Sequence, residues 1–194
     1  MQLIFATNND HKVKEIRNAL GEAFEIISLK EAGIDKEIPE PHNTLEANAN
    51  EKSRVIYEMT GKNCFSEDTG LEVEALNGAP GVRSARYAGE HASFTDNVQK
   101  LLLQMEGKQN RSARFRTVIS LIIDGEEKQF EGICNGTITK NAAGDHGFGY
   151  DPVFIAEGAN KTFAQMTLEE KKEFSHRAKA VQKLVLYLNN QTVR

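Results

Sequence analysis

The chain of 194 residues is poor in cysteine and proline and contains no long apolar run. Its two cysteines, Cys64 and Cys134, lie far apart and neither has a second cysteine nearby, which excludes a disulfide framework and a zinc knuckle. We expect two reduced, partly buried thiols in a cytoplasmic protein. Four prolines and 15 glycines exclude collagen-like or broadly disordered character.

Neither a membrane nor a nucleic acid is expected as a partner. No apolar segment approaches the roughly 20 residues that cross a bilayer. Residues 1–9 lack the basic start and the long apolar stretch of a secretory signal. The formal net charge is −4. Because sequence-independent binding of a duplex depends on cations that contact phosphates, this charge argues against a generic duplex-binding protein, although a local basic pocket remains compatible with it.

The chain opens with a strand, a polar turn and a helix. Residues 3–6 are a short continuous apolar run, which predicts a strand buried on both faces. Val13, Ile16 and Leu20 then recur on one side of a helix, and Gly21 is placed to end it. Such a turn points the N-terminal amides of the helix at the space above the sheet, where anions are favoured.

The remaining patterns predict a mixed α/β fold with a central sheet and flanking helices, in one domain over residues 1–194. A second helix should begin at Asn43 or Thr44 and end at Gly61. Asp124-Gly125 is typical of a hairpin between two strands. Further strands or helices are expected over residues 63–66, 95–105, 113–123, 130–138 and 153–155, and from the capping box at 167–170 onward.

Polar and basic side chains follow the first strand: Thr7, Asn8, Asn9 and Lys12. A hydroxyl, two amides and an ammonium beside free backbone N–H groups suit a polyphosphate. The alternative is a capped helix with an exposed lysine, because Thr and Asn are common capping residues. The chain has no G-x-x-x-x-G-K-[ST] motif, so this turn is not a P-loop.

Two adjacent carboxylates, Glu67 and Asp68, follow the strand predicted at 63–66. Adjacent carboxylates repel each other unless a cation or solvent lies between them. Mg²⁺ prefers one or two carboxylates together with phosphate oxygens of a substrate, which makes this pair a candidate metal site. Glu40, between two prolines, is a further carboxylate on a stiff segment. The alternative is an acidic, solvated turn.

A glycine-rich segment, residues 147–152, contains two aromatic residues and an aspartate. Phe148 and Tyr150 could form a slot for a flat ring, and Asp151 could accept hydrogen bonds from ring N–H groups. The alternative is a glycine-rich turn whose aromatic residues belong to the core. The slot requires Phe148 and Tyr150 to face a cleft, whereas the turn with core aromatic residues does not.

A basic cluster near the last helix contains Lys171, Ser175, His176 and Arg177. Lys171 could contact a phosphate, and His176 and Arg177 could contact a purine edge, because Arg presents several fixed donors to carbonyl acceptors. The alternative is a solvated basic helix start, although basic residues at a helix N-terminus oppose the helix dipole.

Taken together, the clusters resemble one known family, the inosine/xanthosine triphosphate pyrophosphatases, which remove deaminated purine nucleotides. The resemblance runs nearly end to end, and the order and spacing of its motifs are far more specific than any single one. It rests on Thr7-x-Asn9-x-x-Lys12, Glu67-Asp68-Thr69-Gly70-Leu71, Gly78-Ala79-Pro80-Gly81, Ser84-Ala85-Arg86-Tyr87-Ala88-Gly89, Gly147-Phe148-Gly149-Tyr150-Asp151-Pro152 and Ser175-His176-Arg177.

The resemblance implies a two-lobed α/β fold with an elongated central mixed sheet flanked by helices, an active-site cleft between the lobes, and a homodimer. It implies hydrolysis of ITP, dITP and XTP to the monophosphate and pyrophosphate, with one Mg²⁺ per subunit. Glu40 and Asp68 would bind Mg²⁺, Glu67 would lie close by, and Asp68 would be the general base. The substrate-binding residues carried over by position are Thr7, Asn8, Asn9, Asp10, His11, Lys12, Lys52, Thr69 and Lys171 for the phosphate side, and Phe148, Gly149, Tyr150, Asp151, His176 and Arg177 for the base.

Two positions depart from the family pattern. The acidic pair of the family is often Asp-Asp, whereas here it is Glu67-Asp68, and glutamate reaches one methylene further. Thr69 stands where a serine often follows the pair, and it keeps the hydroxyl.

The mechanism that the resemblance implies begins with Asp68 or Glu67 taking a proton from water. The water attacks the α-phosphorus in line with the departing pyrophosphate, while the predicted lysines spread the negative charge. Arg177, His176 or the backbone near Tyr150 would donate a hydrogen bond to the carbonyl oxygen at purine C6. The amino group of adenine would leave those donors unpaired.

Three other functions were weighed against this one. A hydrolase of modified pyrimidine triphosphates, as in the Maf-like group, is the nearest alternative. A nucleotide-binding sensor without turnover would gain nothing from carboxylates beside phosphate unless a metal intervened. Binding of single-stranded nucleic acid through Phe148 and Tyr150 conflicts with the net charge of −4.

Overall fold

The computed structural model describes residues 1–20, 24–36 and 38–192. The elements in chain order are β1 (Gln2–Phe5), α1 (Asp10–Leu20), β2 (Glu25–Ser28), α2 (Leu45–Thr60), β3 (Cys64–Val73), β4 (Pro80–Gly81), α3 (Phe94–Gln104), β5 (Ser112–Ile123), β6 (Glu126–Ile138), β7 (Phe154–Ala156), α4 (Leu168–Phe174) and α5 (His176–Thr192). Short 3₁₀ helices lie at Glu74–Leu76, Ser84–Arg86, Asp151–Val153 and Phe163–Gln165.

The sheet is mixed and has the strand order β2-β1-β3-β5-β6-β7, with β4 paired to β3. Strand β1 is parallel to both β2 and β3, whereas β4 is antiparallel to β3 and β7 is antiparallel to β6. The chain divides into two compact units. The first contains residues 1–68, 117–132 and 177–194, and the second contains residues 69–116 and 133–176. The α/β fold class expected from the sequence is confirmed.

In the first unit, β1 is buried on both faces, as its apolar run predicts. Leu3 and Phe5 join a core with α1 and α5, and the Phe5 ring stacks on Phe65 with centroids 4.5 Å apart. Ile4 joins a separate core with Ile56 of α2. Successive residues of a strand point to opposite faces, so the two faces of this sheet are covered by different helices.

The second unit has its own core, built around three aromatic rings. Phe115 of β5 meets Phe154 edge-on at 4.7 Å, and Phe163 lies 5.2 Å from Phe154. Tyr150 and Leu101 of α3 are buried in the same cluster. The aromatic residues of the glycine-rich segment are therefore divided, because Tyr150 is core and Phe148 is half-buried.

Several local expectations are confirmed. Thr44, rather than Asn43, caps α2, because its hydroxyl accepts a hydrogen bond from the backbone N–H of Ala47. Gly61 closes α2 with φ +62°. Asp124 and Gly125 both have positive φ, as a type I′ hairpin turn requires. Gly21, expected to end α1, lies outside the described residues. Within the described part of the chain, no helix is long and apolar enough to cross a membrane.

Strand β3 differs from the expectation. The sequence predicts a strand at 63–66 that ends before the carboxylates, whereas the structure continues it to Val73. Beyond Asp68 the strand is paired by β4, through Leu71 with Gly81 and Glu72 with Pro80. The two carboxylates therefore lie in the middle of a buried strand, which rules out the alternative of a solvated turn.

The close approach of β4 to β3 generates a stability prediction. An added Cβ at Gly70 would lie 2.6 Å from the carbonyl oxygen of Gly81, so Gly70→Ala must push β4 away. We expect this variant to lose about 2 kcal/mol or more of unfolding free energy, from strain of the overpacking kind. Gly61→Ala meets no atom within 4 Å and should lose only about 1 kcal/mol, from its positive φ. Urea unfolding measures both, and equal losses would contradict the clash.

Candidate active site

The register of β3 sends the two carboxylates to opposite faces of the sheet. Glu67 follows Phe65 at a spacing of two and points to the face covered by α1 and α5. Asp68 follows Cys64 and Ser66 and points to the face covered by α2, where the Ser66 hydroxyl donates to the Ala49 carbonyl. The two acids are only 2% and 5% exposed. They are neighbours in sequence but have different partners.

Asp68 is paired with a lysine of α2. The Lys52 ammonium donates to Asp68 Oδ1 at 3.1 Å and to Glu40 Oε1 at 2.6 Å. Burial and the nearby Glu40 raise the pKa of Asp68, against the opposing effect of Lys52. Burial would lower the pKa of Lys52, but Asp68 and Glu40 outweigh it and raise that pKa. Asp68 Oδ2 is buried and makes no hydrogen bond within the described residues.

The segment that carries Glu40 is tied to α2 by an amide side chain. Asn48 is 1% exposed. Its Oδ1 accepts from the His42 backbone N–H at 2.9 Å, and its Nδ2 donates to the His42 carbonyl at 3.2 Å. Asn48 lies one turn before Lys52 on the same helix. It therefore holds the Glu40 segment at the turn of α2 that presents the ammonium.

Glu67 is surrounded by cations. Arg177 donates to it through Nε at 2.7 Å and Nη2 at 3.0 Å, and the Lys12 ammonium lies 2.7 Å from Oε1. The Arg177 guanidinium also donates to Glu15 of α1. Burial opposes ionisation of Glu67, but Arg177 and Lys12 outweigh it and hold its pKa well below the usual range. Glu67 is therefore a charged, tightly held group.

The polar turn before α1 is a helix cap. The Thr7 hydroxyl accepts from the Asn9 backbone N–H at 3.2 Å, and Asn9 Oδ1 accepts from the backbone N–H groups of His11 and Lys12. Thr7 and Asn9 therefore cap α1, and their predicted contact with phosphate remains a prediction. Lys12 is not a solvated lysine, because its ammonium pairs with Glu67. The other predicted phosphate-binding residues here, Asn8, Asp10 and His11, are exposed.

In the second unit, the glycine-rich segment folds around Asp151. Its Oδ2 accepts from the Phe148 backbone N–H at 3.0 Å and from the Lys171 ammonium at 2.6 Å. The ammonium also lies 5.2 Å from the ring centroids of Phe148 and Phe163. Gly147 has φ +74°, and an added Cβ there would lie 2.1 Å from Asp151 Oδ2, so only glycine fits.

Tyr150 and His176 are buried in this unit. The Tyr150 hydroxyl donates to the Ser84 carbonyl at 2.7 Å, and burial raises its pKa. The His176 ring stacks on Phe115 with centroids 4.7 Å apart. Tyr150 therefore lies in the core, where its phenol has an internal acceptor. Gly149 and Thr69 are half-buried, and the roles predicted for these residues remain predictions.

A groove of about 820 Å³ in the second unit contains none of the predicted site residues. It is lined by Glu72, Arg114, Thr137, Ile155 and their neighbours. The candidate site is therefore defined by buried charged groups and not by this groove.

The residues around Asp68 fit a divalent cation. The donor set is two carboxylates, Asp68 and Glu40, and Asp68 Oδ2 is a buried acceptor without a hydrogen-bond donor in the described chain. No cluster of three His, Cys, Asp or Glu side chains suited to a metal occurs among the described residues. This composition matches Mg²⁺, which takes one or two carboxylates and completes its shell with waters and substrate phosphates.

Three contributors to the site were not identified from the sequence. Glu15 lies three residues after Lys12, a spacing that places both on one side of α1. Asn48 precedes Lys52 by four residues on the buried face of α2. A polar residue among the apolar residues of that face is the sequence feature that could have identified Asn48. Ser84, whose hydroxyl accepts from the Leu71 backbone N–H and donates to the Gly81 carbonyl, lies in a motif noted only for its resemblance.

The architecture places the protein in the mixed α/β class. Carboxylates beside lysines are groups that can bind a divalent cation and phosphate oxygens together. Comparison with known proteins identifies the particular family. The Ham1 family matches residues 3–187, and the chain belongs to it. The resemblance stated from the motifs is thereby confirmed.

Individual relatives cover nearly the whole chain. A protein of Flavobacterium psychrophilum named dITP/XTP pyrophosphatase is 50% identical over 98% of this chain and 100% of its own length. A protein of the same name from Porphyromonas gingivalis is 51% identical over 94% of this chain and 95% of its own length. Among solved structures, the Staphylococcus aureus Ham1 protein matches with a TM-score of 0.88 and 37% identity, covering 98% of this chain and 100% of that one.

The buried ion pairs of Glu67 predict a large and pH-dependent effect of Arg177→Met. At pH 7 we expect a loss of about 3–5 kcal/mol of unfolding free energy, because Glu67 and Glu15 lose the guanidinium. The native protein holds the pKa of Glu67 below its ordinary value of 4.5, so the stability from this ion pair is present above that pH and is lost as the pH falls toward the native pKa. In the variant the pKa rises, and part of the deficit should disappear between pH 7 and pH 5.

Urea unfolding at both pH values measures this effect. The control is Arg83→Met, which removes an exposed arginine 3.6 Å from Glu90 and should cost less than about 1 kcal/mol at either pH. A loss in Arg177→Met no greater than in the control, or a deficit that grows toward pH 5, would contradict the assignment.

Proposed function

We propose that this protein hydrolyses deaminated purine nucleoside triphosphates, ITP, dITP and XTP, to the nucleoside monophosphate and pyrophosphate. The observation that carries the proposal is the group formed by buried Asp68 and Lys52 with half-buried Glu40, which offers carboxylates to a cation and an ammonium to phosphate in one place. The relatives named dITP/XTP pyrophosphatase support the choice of substrate.

The cofactor proposed is Mg²⁺, one per subunit, held by Asp68 and Glu40. When bound, it would neutralise charge on the phosphate oxygens and on the leaving pyrophosphate. The unsatisfied Oδ2 of Asp68 and the anchoring of the Glu40 segment by Asn48 support this assignment. Magnesium is proposed over softer metals because the donors are all carboxylate oxygens.

Asp68 is the proposed general base and takes the proton from the attacking water. Its pKa is raised, which brings it toward the range in which a carboxylate accepts a proton effectively. Glu67 is the weaker candidate, because Arg177 and Lys12 already engage its carboxylate and lower its pKa. The water attacks the α-phosphorus in line with the departing pyrophosphate.

The triphosphate is assigned to the residues around Lys12 and Lys52. Lys12 and Lys52 supply positive charge to this side. Thr7 and Asn9, whose side chains cap α1, are assigned to the phosphates by the resemblance. Asn8, Asp10, His11 and Thr69 complete this side of the substrate by resemblance. The lysines are held by carboxylates, so they are ordered before a substrate arrives.

The purine base is assigned to residues 148–151, Lys171, His176 and Arg177. Lys171 belongs on this side because its ammonium pairs with Asp151 and lies over the Phe148 ring. A donor that meets the carbonyl at purine C6 would be left unpaired by the amino group of adenine, at a cost of about 1–3 kcal/mol for each mismatch.

Two further properties are proposed with the function. The protein acts as a homodimer, as the resemblance implies. It works in the cytoplasm, which the two buried free thiols, Cys64 and Cys134, support. Burial raises the pKa of Cys64 to about 12, so it is an inert core thiol.

The function is tested by incubating the protein with ITP, XTP, GTP, ATP, UTP and methylated TTP in the presence and absence of Mg²⁺. We expect pyrophosphate and monophosphate from ITP and XTP, little turnover of ATP and GTP, and none without the metal. Release of orthophosphate, or a preference for UTP or methylated TTP, would overturn the proposal.

Asp68→Asn should lower kcat for ITP by at least about a hundredfold, because the amide cannot accept the proton. The control is Asp35→Asn, an exposed aspartate of the same unit, which should retain full activity. Pyrophosphate release measures the rates, and circular dichroism checks that both variants fold. Full turnover in folded Asp68→Asn would remove Asp68 from the role of base.

Lys171→Met separates a role at the base from a role at the phosphates. If Lys171 acts through Asp151 on the base, kcat/KM should fall about tenfold or more for ITP and much less for ATP. Lys183→Met, which removes an exposed lysine, is the control and should change neither. Equal losses for the two nucleotides would assign Lys171 to the triphosphate instead.

A further inference from the structure

Lys52 occupies the place between the two carboxylates that the proposed function assigns to the metal. Its ammonium lies 2.6 Å from Glu40 Oε1 and 3.1 Å from Asp68 Oδ1. The Lys52 and Asp68 side chains are 7% and 8% exposed. An ammonium this close to both acids compensates a charge that would otherwise be buried without a partner.

The charges of these three groups do not cancel. Two carboxylates and one ammonium carry a net charge of −1. One acceptor, Asp68 Oδ2, has no hydrogen-bond donor among the described residues. Lys52 therefore neutralises part of the buried negative charge, which permits folding. The remaining negative charge can attract a further cation. A second cation brought to the same carboxylates would, however, be repelled by the Lys52 ammonium.

The backbone on both sides of the Lys52 ammonium is anchored. Helix α2 is capped at Thr44 and closed at Gly61, and Asn48 ties the helix to the Glu40 segment. The ammonium sits on a flexible four-carbon stem, so rotation of the stem shifts the charge without moving the backbone. A triphosphate carries more negative charge than either carboxylate and offers the ammonium an alternative partner.

We propose that the Lys52 ammonium is an internal counter-cation for Glu40 and Asp68, and that its transfer from these carboxylates to the triphosphate couples nucleotide binding to divalent-cation binding. The inference rests on the proposed function for the identity of the nucleotide. Without nucleotide, Lys52 opposes the divalent cation. With nucleotide, the carboxylates are released, and each ligand strengthens the binding of the other by the same factor, as linkage requires.

The experiment measures Mn²⁺ affinity by electron paramagnetic resonance, with and without α,β-methylene ITP, which cannot be cleaved. In the native protein we expect weak Mn²⁺ binding that the analogue strengthens by about tenfold or more. In Lys52→Met, nucleotide-free binding should be about tenfold or more tighter than in the native protein, and the strengthening by the analogue should largely disappear. Lys52→Arg, which keeps the charge, should retain weak nucleotide-free binding.

The control is Lys62→Met, which removes an exposed lysine just beyond α2 and should leave both affinities unchanged. Added Mn²⁺ should also raise the Tm of nucleotide-free Lys52→Met more than that of the native protein. If Lys52→Met does not fold, the ¹⁵N NMR signals of the lysine ammonium groups in the native protein decide the question, because one should shift when Mg²⁺ and the analogue are added together. No shift there would overturn the proposal.

Nucleotide-free Mn²⁺ binding to folded Lys52→Met that is no tighter than native, or an unchanged strengthening by the analogue, would likewise overturn the proposal. Neither measurement requires turnover, so the two proposals can fail separately. Release of pyrophosphate from ITP without the coupling would refute only the role of Lys52. Coupling without pyrophosphate release would refute only the proposed reaction.

Discussion

The structure of the site depends on the cost of burying Glu67 and Asp68 in the middle of β3. A buried carboxylate is tolerated only when cations or donors surround it. Successive side chains of a strand point to opposite faces of the sheet, so each acid is paired by residues on a different face. The face of α1 and α5 supplies Lys12 and Arg177 to Glu67, and the face of α2 supplies Lys52 to Asp68.

This division gives two adjacent acids different chemistry. Glu67 receives a bidentate arginine and a lysine, so its carboxylate is held in the charged form with its oxygens engaged. Asp68 receives one lysine that it shares with Glu40, and one of its oxygens makes no hydrogen bond in the described chain. An acid with unused acceptor capacity and a raised pKa suits metal binding and proton transfer, whereas a saturated one suits the positioning of its neighbours.

The second unit uses the same principle for a different purpose. Asp151 and Lys171 are 4% and 5% exposed and neutralise each other, while a backbone N–H of the glycine-rich segment binds the same carboxylate oxygen. Gly147 is required there because any side chain would collide with Asp151. Tyr150 anchors the segment through the hydrogen bond from its hydroxyl to the Ser84 carbonyl.

The sequence by itself determined the local structure and the set of chemical groups. The cap at Thr44, the stop at Gly61 and the turn at Asp124-Gly125 are local choices of backbone conformation, and periodicity was enough to predict the buried strand β1. Motif order was enough to indicate the family. Only the tertiary structure decided which group meets which, because ion pairs such as Arg177 with Glu67 join residues remote in sequence, and the face of each carboxylate depends on where β3 begins and how far it continues.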